Sequence, residues 1–421
     1  MNMEKIKSAG ASKTVVVVPG SKSLTQRALV IAALAQGRSV LRSGLLSEDT
    51  QYLVEGLRAL GATISLSPDE MVVEGTGGQI RNPGRTIFLG NNGTALRFLT
   101  AVASLGQGAF SIDGDRRLRE RPVGSLLDAL KTFGINARSR DDKGYPPLLI
   151  EAKGLSGGKV ILRDVESSQF VSALLIAAPY ARKDVDIRLE GRTVSEPYVN
   201  MTLNVMEYFG VRATREGENH YGVTGGKPYS GKHYLVEGDA SSASYFYLAA
   251  ALCGRRIRVD NISAKSLQGD MAFLGIMESS GCSVERGDSW VEVVGGSLRG
   301  GEWVLDMRRM PDMVPTLAVL SAFRPGRTII TRVPHLRFKE SDRIAALVTE
   351  LNRMGVQAEE RDDGLIIEGG KPHGAEIETY DDHRIAMSFA VAGLVVPGMR
   401  IKNRACVAKS FPGFWDELKK L

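Results

Sequence analysis

Lys22 in Ser21-Lys22-Ser23, Gln169 in Ser167-Ser168-Gln169 and Arg384 in Asp381 to Arg384 each sit directly ahead of an apolar stretch of helical length. The first N–H groups of a helix lack internal partners and carry the positive end of its dipole, so a helix start binds an anion unless a side chain caps it. Ser, Thr, Asn and Asp are also the preferred capping residues. Capping alone requires neither a Lys, nor a Gln, nor an Arg. The chemistry these positions point to is recognition of a small anion.

Such starts recur. Clusters at Ser21 to Ser23, Asn91 to Thr94, Ser167 to Gln169, Asp239 to Ser242, Asp312 to Thr316 and Asp381 to Arg384 each precede an alanine-rich apolar segment. Five of these segments are expected to stop at Gly37, Gly106, Gly254, Gly326 and Gly398, spaced by 69, 148, 72 and 72 residues, with the skipped copy ending near Ala181. An amphipathic series interleaves with them and closes on Gly61, Gly134, Gly210, Gly281 and Gly355, at steps of 73, 76, 71 and 74. Two series with one period predict six repeated units of about seventy residues. Within a unit the pattern reads helix, short connection, helix, strand, strand. Leu53, Leu57 and Leu60, or Leu347, Leu351 and Met354, give the second helix one apolar stripe. The strands are expected at Thr63 to Leu66, Val211 to Thr214 and Val356 to Glu359, then at Met71 to Glu74, Trp290 to Val294 and Leu365 to Glu368. The sixth unit is expected to be truncated, because the chain finishes in the helix-like Phe414 to Leu421.

A length of 421 residues exceeds one ordinary core, and three units per domain is the simplest partition. Hydrophobic content of 43% with 24% charged residues is that of a soluble globular chain. The apolar run around Phe170 to Ala181 is too short to span a bilayer, and Met1 to Lys13 lacks the apolar centre of a signal peptide, so a cytoplasmic protein is expected. Cys253, Cys282 and Cys406 are odd in number and far apart, which argues against both a disulfide framework and a zinc cluster. The net charge of +6 fits either a nucleic acid or an anionic small molecule. The densest basic run, Arg116, Arg117, Arg119 and Arg121, has no interleaved aromatic to stack a base, which favours the small molecule.

Pro19-Gly20-Ser21-Lys22-Ser23 is not a Walker loop, since Ser21 stands where a Gly must directly precede the Lys. Taken with Leu89-Gly90-Asn91-Asn92-Gly93-Thr94, Arg117 in the Asp115 to Pro122 run, Ser167-Ser168-Gln169-Phe170, Glu237 to Ser242, Lys339-Glu340-Ser341-Asp342-Arg343 and Asp382-His383-Arg384, it completes a set of seven motifs in order. From Pro19 to Pro412 the set resembles the 5-enolpyruvylshikimate-3-phosphate synthase family. The resemblance implies the enolpyruvyl transferase fold: two inside-out α/β domains, each of three βαβαββ-type units. Residues 20–237 would form the first domain, and 1–19 with 238–421 the second, with crossovers near 20 and 237.

The implied reaction moves the enolpyruvyl group of phosphoenolpyruvate to the 5-hydroxyl of shikimate 3-phosphate and releases phosphate. Each substrate carries about three negative charges near neutral pH, so bringing them together demands counter-charge. By resemblance, shikimate 3-phosphate meets Lys22, Ser23, Arg27, Ser167, Ser168, Gln169, Ser195, Asp312 and Lys339. Phosphoenolpyruvate meets Lys22, Gly93, Arg117, Gln169, Arg343, Arg384 and Lys409. Glu340 is the implied acid on the methylene carbon and Asp312 the implied base on the hydroxyl, with Lys22 also at the reacting centre. His335 stands where many members have Asn, and Glu196 and Phe98 also differ from some relatives. No cofactor or metal is implied, and the five histidines show no metal-ligand spacing. The partners expected are the two substrates, with no nucleic acid, no membrane and a monomeric chain. Two rival readings fit the motifs less well. The sister transferase acting on UDP-N-acetylglucosamine has a Lys-Asn pair early in the chain and a reactive Cys in its first domain, whereas here Ser23 follows Lys22 and no Cys precedes Cys253. An RNA-binding repeat protein would bind through charge alone, with a steep salt dependence.

Overall fold

A helix that is apolar around its whole circumference has no face to give to water and must lie inside the molecule. Six such helices form in the computed structural model, which describes residues 13–191 and 195–421. They are α1 (Lys22–Leu34), α2 (Gly93–Ala103), α3 (Ser168–Ala177), α4 (Ala240–Cys253), α5 (Val314–Phe323) and α6 (His383–Ala392). Five begin on a side-chain cap: Ser21, Asn92, Ser167, Asp239 and Asp382 each accept a backbone N–H of the first turn. The fifth start differs, because Asp312 lies in a 3₁₀ turn, Pro311–Met313, and caps nothing. Its carboxylate is left for other partners.

The interleaved amphipathic helices are Glu48–Ala59, Gly124–Thr132, Glu196–Tyr208, Phe273–Ser279 and Arg343–Arg353. All five glycines expected to close them have positive φ, from 76° at Gly355 to 115° at Gly61, which a side chain would resist. The other glycine series behaves differently. Only Gly254 caps its helix, in the left-handed conformation, whereas α1, α2, α5 and α6 end earlier, at Leu34, Ala103, Phe323 and Ala392.

The connection between the two helices of a unit is itself a strand, and another strand precedes the first helix. Gln107–Asp113, for example, pairs in parallel with Ile87–Phe88 and antiparallel with Leu148–Lys153, which in turn pairs with Asn136–Ser139. The unit is therefore βαβαββ. Its parallel first pair requires the buried helix as a crossover. Five four-stranded sheets of this order occur among the described residues, and a sixth position holds only Glu376–Ile377 beside Arg400–Ile401, so the last unit is truncated. Strands expected at Val211 to Thr214 and Val356 to Glu359 form later, at Thr214–Glu216 and Ala358–Arg361, because extended chain first leaves the helix.

Two hydrophobic cores result. One draws on residues from Leu24 to Val236, the other on Val16, Val18 and residues from Ala243 to Leu418. The chain passes between them twice, side by side: Gly20 bridges Gly238, Ser21 N–H donates to the Glu237 carbonyl at 2.8 Å, and Asp239 N–H to the Pro19 carbonyl at 2.9 Å. Each pass also exchanges a strand. Thr14–Val17 pairs with Arg256–Asp260 of the second body, and His233–Leu235 with Arg38–Arg42 of the first. Residues 1–12, part of the segment expected in the second domain, lie outside the described residues.

Candidate active site

The starts of α1, α2, α3, α5 and α6 face one cleft between the two bodies. Lys22, Ser23, Arg27, Gly93, Ser167, Ser168, Gln169, Ser195, Asp312, Lys339, Glu340 and Arg384 all line it. Arg343 and Lys409 stand behind this lining, within ion-pair reach of it. Arg117 is placed otherwise, its guanidinium donating to the carbonyls of Lys339 at 3.0 Å and Arg337 at 2.9 Å across the cleft. It fastens one body to the other.

Two carboxylates occupy the centre. Arg343, 1% exposed, donates to Asp312 Oδ1 at 3.0 Å and to Glu340 Oε2 at 2.8 Å, while its Nε donates to Asp382 at 2.8 Å. Arg384 donates to the second oxygen of Asp312 at 2.9 Å, and Lys339 Nζ lies 3.7 Å from the first. Arg121 approaches Glu340 Oε1 at 3.8 Å. Burial pushes the pKa of both acids up, but the cations outweigh it. Arg384, Lys339 and Arg343 hold Asp312 well below the usual carboxylate range, and Arg343, Arg121 and Lys22 do the same for Glu340. Local charge pairs on a solvated helix face would leave Lys339, Glu340 and Arg343 exposed. Instead Lys339 and Glu340 precede the Arg343–Arg353 helix and turn inward.

On the opposite wall Asp49 collects two cations, Lys22 at 3.2 Å and Lys409 at 2.9 Å. Asn92 Nδ2 donates to the Asp49 carbonyl at 2.7 Å, and Gln169 Nε2 to the Thr94 hydroxyl at 3.0 Å. Ser195 donates its hydroxyl to the Arg308 carbonyl at 3.0 Å. Arg27 spends its donors on the Thr202 hydroxyl and the carbonyls of Ser23 and Tyr198, and its guanidinium lies over the rings of Phe98 and Tyr198. Arg27 thus shapes the α1 wall from within the fold.

Asp49, Arg121, Glu166 and Tyr198 also line the cleft and were not singled out by the sequence, whereas Asn92 and Thr94 line it as members of the Asn91 to Thr94 helix start. Arg121 carries the main lesson. In its basic run the turn Leu118–Glu120 leaves the Arg116 side chain 97% exposed and the Arg121 side chain 5% exposed. The Arg121 guanidinium fills the space beside Gly93, where an added Cβ would meet its Cζ at 2.4 Å. The absence of a side chain at Gly93 therefore admits Arg121. His335 also lines the cleft; burial and then Lys339 lower its pKa to about 3, so the ring is neutral, and neither nitrogen has a protein partner. Burial likewise pushes the Cys406 thiol up to about 12, which suits a packing role and not a nucleophile.

Two bodies of βαβαββ units with buried helices, meeting at a cleft of paired cations and two central carboxylates, define an enolpyruvyl transferase. The sequence profile of EPSP synthase (3-phosphoshikimate 1-carboxyvinyltransferase) matches residues 6–418, and the chain belongs to that family. It is 44% identical over 403 residues to a 3-phosphoshikimate 1-carboxyvinyltransferase of Nostoc punctiforme, covering 95% of this chain and 94% of the relative. Its identity to the enzyme of that name from Methanoculleus marisnigri is also 44%, over 402 residues covering 95% and 94%. Among solved structures it is similar to EPSP synthase from Acinetobacter baumannii, with a TM-score of 0.80 at 28% identity, covering 97% of this chain and 96% of that one.

Proposed function

We propose that the protein transfers the enolpyruvyl group of phosphoenolpyruvate to the 5-hydroxyl of shikimate 3-phosphate and releases phosphate. Family membership along nearly the whole chain carries this reading. Asp312 takes the hydroxyl proton and Glu340 protonates the methylene carbon as the hydroxyl oxygen attacks the adjacent carbon. Glu340 then takes a proton back from the new methyl group while phosphate departs. The arrangement supports this division, since Arg343 holds the two carboxylates from one guanidinium.

An acid held ionised cannot donate a proton. The anionic substrates must first neutralise Arg343, Arg121 and Lys22, the cations that keep Glu340 ionised. Phosphoenolpyruvate is assigned to Lys22, Gly93, Arg117, Gln169, Arg343, Arg384 and Lys409. Shikimate 3-phosphate is assigned to Lys22, Ser23, Arg27, Ser167, Ser168, Gln169, Ser195, Asp312 and Lys339. The carboxylate and carbonyl partners these cations hold in the free protein are what the ligands displace. Residues 20–237 and the remainder act as two closing domains, supported by their separate cores. A single chain completes the cleft, in keeping with a monomer. Among the described residues no helix is long and apolar enough to cross a membrane.

The test is phosphate release from phosphoenolpyruvate with shikimate 3-phosphate and, separately, with UDP-N-acetylglucosamine. Turnover is expected with the first acceptor alone, and turnover only with the second would overturn the assignment. In the same assay Glu340→Gln and Asp312→Ala are each expected to lower kcat by about a hundredfold or more. Near wild-type kcat in either would remove that residue's role.

A further inference from the structure

Asp270 is buried beside the cleft and has no part in the chemistry described above. It sits in the turn Gly269–Ala272 of the second body. Gln268 pins this turn to the crossover, donating to the Gly238 carbonyl at 2.7 Å and accepting from Ala240 N–H at 3.1 Å. Gly269 lets the turn press on the first body, for a Cβ there would lie 2.7 Å from Pro197 Cβ. The contact brings Asp270 to Tyr198. The Tyr198 hydroxyl lies 3.5 Å from Asp270 Oδ1 and 3.4 Å from Asp312 Oδ2, while Asp270 Oδ2 accepts the hydroxyl of Ser241.

A phenol between two carboxylates has one proton and donates to one of them at a time. Burial and the charge of Asp312, with a smaller push from Asp239, raise the Asp270 pKa to about 7, against the pull of Arg384 and the Ser241 hydrogen bond. Asp312, with Arg384, Lys339 and Arg343 around it, is held well below the carboxylate range. A proton on Asp312 is therefore at the less basic end of a chain whose far end binds it more tightly.

We propose that Asp270 receives, through the Tyr198 hydroxyl, the proton that Asp312 takes from the 5-hydroxyl of the acceptor. The inference rests on Asp312 being the base. The acceptor O–H bond breaks as a proton bonds to Asp312. That proton passes to the Tyr198 oxygen as the phenol's own proton moves to Asp270, leaving Asp312 ionised, Tyr198 neutral and Asp270 neutral. On phosphate departure the proton returns by the same route and leaves with the phosphate, so all three groups end as they began. Asp270 touches no substrate and is a positioning residue for the proton, acting only through Asp312.

The experiment is the pH profile of kcat from pH 5.5 to 9, at saturating concentrations of both substrates, for wild type, Asp270→Asn, Tyr198→Phe and Asp312→Asn. In the wild type kcat is expected to fall about tenfold per pH unit below about pH 7, as Asp270 becomes protonated and stops accepting. Asp270→Asn and Tyr198→Phe should each abolish that limb and lower kcat at pH 8.5 by about tenfold or more. A limb retained in either variant, or a wild-type profile flat through pH 7, overturns the proposal. If Asp270→Asn does not fold, Tyr198→Phe, which removes only the linking hydroxyl, decides the matter. Wild-type turnover in Asp312→Asn would sink the base assignment itself, a result separate from either outcome at Asp270.

Discussion

Lys409 Nζ lies 2.9 Å from Asp49 Oδ1, joining the C-terminal part of the second body to the first helix pair of the other. The two side chains are 8% and 4% exposed. A buried pair of this kind is worth little over an apolar pair, but breaking it by removing one member strands the other charge, at about 3–5 kcal/mol. Lys22, 3.2 Å from the other oxygen, relieves part of that cost for Asp49.

Lys409→Met is therefore expected to loosen the contact between the bodies more than it unfolds either core. Small-angle scattering of the free protein should show a larger radius of gyration than wild type, with far-UV circular dichroism unchanged. An unchanged radius would mean that this pair does not hold the bodies together.

Because Arg343, Arg121 and Lys22 keep Glu340 ionised, anions that neutralise them should raise its affinity for a proton. Binding the substrates is expected to draw in up to about one proton per site at pH 7.5. Calorimetry in buffers of different ionisation enthalpy measures this, using shikimate 3-phosphate with a non-reacting anion that mimics phosphoenolpyruvate. Glu340→Gln should lose the uptake, and release of a proton by the wild type would contradict the scheme.

Gly93→Ala places a methyl where the Arg121 guanidinium now lies. The obstructing atoms are the far end of a flexible side chain, so the fold should survive, with the melting temperature within a few degrees of wild type. Arg121 would then lose its 3.4 Å bond to the Asn91 carbonyl and its place near Glu340. The expected outcome is a rise of about tenfold or more in KM for phosphoenolpyruvate, which is proposed to lie against Gly93, beside the displaced cation. An unaltered KM would show that Arg121 is free to move without consequence.

Asp270 also makes a stability prediction of definite sign. A carboxyl whose pKa is higher folded than unfolded binds its proton more tightly in the native state. Its contribution is present at low pH and is lost as pH climbs from the ordinary carboxylate range to about 7. Asp270→Asn, which cannot ionise, should gain stability relative to wild type as pH rises from 5 to 8. Denaturant melts at the two pH values give the difference directly, and a relative loss at pH 8 would reverse the assignment.

The buried helices were legible because their capping residues and all-round apolar composition are local, and so were the glycines that end the amphipathic helices. The strands between helices were not. Arg38–Arg42 is only five residues with a charge at either end, and Thr14–Val17 leaves Val15 and Val17 about half exposed, so neither shows the alternation of a half-buried strand. Within the site, Lys22 and Arg384 announced themselves by their place at helix starts. Which arginine of the Arg116 to Arg121 run turns inward depends on a short turn with no periodic signal. Asp270 is less legible still, since its neighbours Tyr198 and Asp312 lie 72 and 42 residues away, and Tyr198 meets it only through the packing of one body on the other.

The strand exchange at the crossovers means that the second body is not a contiguous, severable piece of chain. A fragment beginning at residue 238 would leave Arg256–Asp260 without its parallel neighbour Thr14–Val17, baring a hydrogen-bonding edge that invites association with other copies. The complementary fragment would carry that orphaned strand as a sticky tail. The far end of the polypeptide thus finishes a sheet of the second body, and a cut between the bodies takes part of one of them away.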